Sequence, residues 1–216
     1  MLQTQSTREF NPRQTCHEIA EKSSRIVPRA RSIDLDHYAH LFVVLACLGA
    51  FDTLYYHEWR ARLPAMGPLA RSELQLHALR DFVYAIMFST LPWVAWQGRY
   101  VLPLIGLLVV EIILTLWDFI VEDWIRKPLG GVYPGERVMH GIMGIVYGAA
   151  LAYLVPVLRV WWSKPTSLAT ASPANSIVLG WILTVMAVGV LLSGVRDLCA
   201  AVGMPGSAWP WSRRNR

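Results

Sequence analysis

The chain has 216 residues, of which 54% are hydrophobic and 16% charged, with a mean hydropathy of +0.36 and a formal net charge of +5. That balance is too apolar for an ordinary soluble domain. The positive charge sits on arginines at the ends of apolar stretches, where it reads as a topology signal and not as affinity for nucleic acid.

Residues 1–36 are a polar tail of mixed charge. They lack the apolar h-region of a secretory signal, and Glu9, Glu18, Glu21, Asp34 and Asp36 interrupt the basic residues a transit peptide needs. A disordered or surface-lying tail is the expectation. A single transmembrane domain is expected over 37–199. It contains five apolar stretches, approximately 38–57, 75–97, 101–123, 137–158 and 175–196, each near the roughly 20 residues that span a bilayer. The segment 163–175, rich in Ser, Thr, Pro and Ala, reads as the linker to the fifth helix, whose small residues (Gly180, Ala187, Gly189, Ser193, Gly194) allow close approach on the outside of the bundle. Residues 200–216 form an interfacial tail, with Trp209 and Trp211 followed by Arg213 and Arg214. Cys16, Cys47 and Cys199 have no metal-type spacing and imply no disulfide framework.

One pattern occurs twice. Glu58, Arg62, Pro64, Glu73, His77 and Tyr84 recur as Glu122, Arg126, Pro128, Glu136, His140 and Tyr147, each copy crossing a junction between two apolar stretches. Two helical hairpins, about 38–97 and 101–158, predict an all-α four-helix bundle with a two-fold axis along the membrane normal, plus the fifth helix. The prolines stop helices, and the first-turn position of Glu73 and Glu136 suits the helix dipole. Most arginines fall on the motif side, so a multi-pass membrane protein of the bacterial inner-membrane type, motif side cytoplasmic, is expected.

Dipole compensation alone does not account for the polar stripes. Positions i, i+4, i+7 and i+11 share a helical face. On the second helix that face carries Glu73, His77, Arg80 and Tyr84; on the fourth, Glu136, His140, Met143 and Tyr147. The third carries Glu111, Thr115, Asp118 and Glu122, and the first ends in Asp52, His57 and Glu58. Carboxylates in hydrocarbon cost several kcal/mol unless paired, protonated or metal-bound. Two divalent metals would balance Glu58, Glu73, Glu122 and Glu136, with His77 and His140 adding one nitrogen each. His57 and Asp118 are further candidate ligands, although His57 and Glu58 point about 100° apart on an α-helix. Arg62 and Arg126 could bind the motif glutamates, Asp81 could orient His77, and Tyr84 and Tyr147 could hydrogen-bond a ligand or pass a proton or electron.

The order Glu, Glu/His, Glu, Glu/His resembles the ligand order of ferritin-like di-iron proteins, over about ninety residues and in site logic only. Those proteins use Glu-x2-His, whereas both copies here are Glu-x3-His. The resemblance implies a di-iron oxidoreductase using dioxygen on a lipophilic substrate, with a separate electron-donor protein. Alternatives are a zinc-dependent hydrolase of a lipid-linked substrate, a haem b electron carrier through His77 and His140, a small proton-coupled transporter, or a membrane assembly factor.

Overall fold

A computed structural model describes residues 29–171 and 177–208; most of the N-terminal tail, residues 172–176 of the linker and the Trp209–Arg214 anchor lie outside them. Helix α1 (Arg29–Phe51) runs directly into a π-helical segment, Asp52–Ala61. One α turn (Leu63–Met66) and one 3-10 turn (Gly67–Ala70) lead to α2 (Arg71–Thr90). Strand β1 (Val94–Gln97) precedes α3 (Val101–Arg126), and α4 (Pro134–Trp162) is followed by β2 (Ser167–Thr170) and α5 (Ile177–Ala201).

Burial follows one stripe on each long helix. On α3 the buried positions are Val101, Leu104, Leu108, Glu111, Asp118, Glu122 and Arg126, and on α4 they include Glu136, His140, Tyr147, Ala150 and Leu154. Steps of three, four and seven keep each set on one face. The opposite faces are apolar and exposed, with Ile113, Leu116, Trp117, Ile120 and Trp124 on α3 and Val185, Val188 and Leu192 on α5. Charged residues buried on these stripes and large apolar residues exposed on the opposite faces depart from the soluble pattern. Among the described residues, four segments are long and apolar enough to cross a membrane: His37–Ala61, Gly98–Arg126, Pro134–Trp162 and Ile177–Ala201. Helix α2 is not among them; it carries Glu73, His77, Arg80 and Asp81 and is enclosed by α3 and α5.

Two expectations about the elements change. The second helix ends at Thr90, shortly before Pro92, and 94–97 is extended, pairing antiparallel with 167–170 in the register Val94↔Thr170 to Gln97↔Ser167. This ribbon ties the α2–α3 connection to the α4–α5 connection. Gly98 permits the close approach: its φ is +60°, and a Cβ there would lie 2.6 Å from Thr166. Helix α5, in turn, joins the bundle instead of lying outside it, packing along α2 and also against α1. Two of its small residues give the close approach expected of them, Gly180 lying under the Trp93 ring and Gly194 against Ala78 and Phe82, whereas Gly189 is exposed with nothing within 4 Å of where its Cβ would be. Trp93 Nε1 donates to Thr184 Oγ1 at 2.8 Å, fixing the contact.

The core is layered. A large apolar cluster containing Phe42, Met87, Phe88, Leu104 and Leu154 fills the strand end, and a small one of Leu63, Ala70, Leu74, Ala200 and Ala201 closes the loop end. Between them lies a buried polar layer.

Candidate metal centre

The π-helical end of α1 decides which side chains enter that layer. Hydrogen bonds from i to i+5 stack residues five apart, so Asp52 and His57 share a face that an α-helix would deny them. The segment stops at Arg62, whose left-handed backbone (φ 54°, ψ 41°) aims its N–H at the His57 carbonyl, and Pro64 then prevents continuation. Helix α4 starts at Pro134 behind the extended Tyr133, placing Glu136 in its first turn and His140 one turn on. Helix α3 brings Glu122 and Arg126 along its last turns.

His140 is the hub. Its Nε2 lies 3.2 Å from Asp52 Oδ2 and its Nδ1 3.5 Å from Glu122 Oε2, while Phe119 stacks on the ring at 5.2 Å. A neutral imidazole has one N–H and one lone pair. Whichever tautomer is chosen, one nitrogen lone pair therefore faces a carboxylate oxygen. A second proton on the ring, a protonated carboxyl or a bound cation removes that conflict. His57 has a similar problem: its Nε2 sits 3.4 Å from Asp52 Oδ2 and 3.3 Å from Glu136 Oε1 without hydrogen-bond geometry to either. Asp52 Oδ1 and Glu122 Oε1 are also buried without a hydrogen-bond partner among the described residues.

Two buried groups have their donor atoms within 4.8 Å of one another, Asp52–His57–His140 and Glu122–Glu136–His140. The first is a two-histidine, one-carboxylate set, a donor combination used by non-haem iron and catalytic zinc. If His140 binds through Nε2, its Nδ1–H faces Glu122, the carboxylate support that metal-bound histidines ordinarily have. The donor chemistry fits a divalent transition metal.

The other residues singled out from sequence surround these two groups. Glu73 and Glu136 are both held by the buried Arg126, whose Nε and Nη2 donate to Glu73 Oε1 at 2.8 and 2.6 Å and whose Nη1 donates to Glu136 at 2.8 and 2.9 Å. Arg126 thus bridges two carboxylates from different helices and lies 3.8 Å from Glu122. Its motif counterpart Arg62 is exposed and reaches none of them. His77 Nε2 approaches Asp118 Oδ2 at 3.2 Å, and Arg80 Nη1 donates to the same oxygen at 2.7 Å. The His77 ring stacks on His57 with centroids 4.4 Å apart and planes 6° apart, so it braces a donor of the first group. Asp118 rather than Asp81 is the partner of His77; Asp81 packs where α2 meets Gly194 of α5. Glu58 turns away to Arg196 of α5 at 2.5 Å, and Arg196 also holds Asp197 at 3.0 Å. Tyr84 donates to Glu111 Oε1 at 2.7 Å and Thr115 to the same atom at 2.8 Å, while Tyr147 donates to the Leu108 carbonyl at 3.3 Å.

Charge is unbalanced throughout this layer. Buried Asp52, Glu58, Glu73, Glu111, Asp118, Glu122, Glu136 and Asp197 face the buried guanidinium of Arg126 and the half-buried ones of Arg80 and Arg196. Protonating all three of these buried histidines would not close the gap, which leaves protonated carboxyls or bound cations to close it. No family model, no curated protein and no solved structure matches the chain.

Proposed function

We propose that the chain is a multi-pass membrane oxidoreductase with a non-haem metal centre, iron being the metal that best suits the donors, acting with dioxygen on a lipophilic substrate. The observation that carries the reading is His140, shared by two buried metal-competent groups inside a layer whose carboxylates outnumber its cations. Asp52, His57 and His140 would hold one metal, and Glu122 and Glu136 would offer carboxylates to a second, which His140 could join only by giving up its remaining N–H proton to become an imidazolate. A bound iron supplies the open coordination positions and electron needed to react with dioxygen.

The protein's own residues set the conditions. Arg126 holds Glu73 and Glu136 and would hold down the anionic charge of Glu136 if that carboxylate ligated. His77, fixed by Asp118 and Arg80, keeps the His57 ring in plane. The apolar cluster on the strand side excludes water from one direction, and the exposed apolar helix faces give a lipophilic substrate lateral access from the bilayer. Reducing equivalents would come from a separate donor protein.

One observation favours a second reading: the Asp52–His57–His140 set is equally a zinc donor set that activates water, which would make the protein a hydrolase of a lipid-linked ester or amide. Metal-free protein loaded anaerobically with Fe(II) or with Zn(II) separates the two. Dioxygen uptake by the iron form, beyond that of free Fe(II) and absent from the zinc form, supports the oxidoreductase. An iron form inert to dioxygen, beside a zinc form that cleaves a long-chain p-nitrophenyl ester, overturns it.

A further inference from the structure

The bundle end that holds the polar layer also carries an open cavity of about 1000 Å³ on its outer side. Its walls are the turn after the π-helical segment, Tyr133, and the turn after α5. None of the residues of the two metal-competent groups lines it, so a ligand bound there would not touch them.

Among the described residues, Arg60 and Arg62 are the cavity's only charged lining residues. Neither forms an ion pair among the described residues, whereas Arg80, Arg126 and Arg196 each do. Arg60 is kept in place by its own surroundings: its guanidinium lies over the Tyr133 ring at 4.7 Å, and the Tyr133 hydroxyl donates to the Arg60 carbonyl at 3.4 Å. Arg62 is the one described non-glycine residue with positive φ. A left-handed arginine is a sparsely populated conformation that its surroundings must enforce. Its motif counterpart Arg126 keeps right-handed geometry (φ −82°, ψ −14°) and points inward to carboxylates. Arg62, in its left-handed turn, is exposed, and Glu58 pairs with Arg196 instead.

The rim is apolar. Trp59 is 65% exposed, Leu69 79% and Met204 54%. Two guanidiniums without an ion pair among the described residues, in a lining that also offers exposed aromatic and aliphatic side chains, match an amphiphile with a phosphate at one end: arginine binds phosphate in a bidentate fork, and tryptophan favours headgroup depth. We infer that this cavity binds the phosphate-bearing headgroup of an anionic phospholipid, with Arg60 and Arg62 on the phosphate and the acyl chains leaving past Trp59, Leu69 and Met204.

Native mass spectrometry of the full chain in detergent, titrated with phosphatidylglycerol or phosphatidylcholine, tests this. One phosphatidylglycerol retained in preference to phosphatidylcholine is expected. Arg60→Gln and Arg62→Gln should each weaken retention about fivefold, Arg62→Lys should weaken it less, and Arg99→Gln at the opposite end should leave it unchanged. Arg60→Gln makes no demand on the left-handed turn, so it reads the site even if Arg62→Gln misfolds. Equal retention of the two lipids, or unchanged retention in Arg60→Gln, overturns the inference. So does an equal loss in Arg99→Gln, which reports general surface charge. Displacement of the lipid by millimolar inorganic phosphate would assign the site to a soluble phosphate compound and overturn it as well.

Discussion

Arg62 and Arg126 occupy equivalent places in the repeated motif, so their replacement by methionine separates what the sequence equates. In Arg126→Met, four charge-assisted hydrogen bonds are lost and Glu73 and Glu136, both fully buried, lose the only guanidinium that touches them among the described residues. Breaking a buried ion pair by removing one partner costs about 3–5 kcal/mol, because the charge left behind has neither water nor a counter-ion. Arg62 is exposed and makes no ion pair among the described residues, so Arg62→Met should stay within about 0.5 kcal/mol of the unaltered protein. The assay is denaturant unfolding in mixed micelles, monitored by the fluorescence of the ten tryptophans. A further variant, Arg126→Met/Glu136→Gln, removes one of the two stranded charges and should recover part of the loss. Equal destabilisation by the two single substitutions, or no recovery in the double variant, would refute the buried bridge.

The same contacts set the outcome of three further substitutions. Glu58→Gln should leave metal content unchanged, because Glu58 pairs with Arg196 outside both metal-competent groups; metal loss measured after purification would return it to the ligand set. His77→Phe keeps a flat ring against His57 and should retain metal, with reduced affinity in a competition titration against a chelator, whereas His57→Ala should lose the first group's metal. Gly98→Ala should destabilise the protein by about 1–3 kcal/mol in the same unfolding assay, since its backbone is left-handed and Thr166 lies where the Cβ would go.

Much of the helical architecture was legible because the polar stripes on α2, α3 and α4 keep α-helical spacing. Glu111, Asp118 and Glu122 share the buried face of α3, and Glu136, His140 and Tyr147 that of α4. The end of α1 was not legible in this way. Spacing rules for an α-helix bring Glu58 and its motif partner Glu122 into register, but the π-helical segment rotates Asp52 and His57 inward and Glu58 towards α5. No residue in that segment announces the change of period. Arg196 and Asp197 were hidden differently. They fall at the edge of an apolar stretch, where a cation reads as an interfacial anchor, yet α5 continues to Ala201 and carries both into the polar layer. Arg62 and Arg126 also differ in backbone conformation, which a sequence repeat cannot express.

Whether a metal resolves the conflict at His140 decides between a metalloenzyme and a merely charged bundle core. Elemental analysis of protein purified without added metal, beside His140→Ala and Glu58→Gln handled identically, is the direct measurement. One or two equivalents of a transition metal per chain, retained in Glu58→Gln and lost in His140→Ala, is the predicted result. Folded protein without stoichiometric metal, or full retention in His140→Ala, would contradict it and leave protons, on His140 or on the carboxyls facing it, as what balances Asp52 and Glu122.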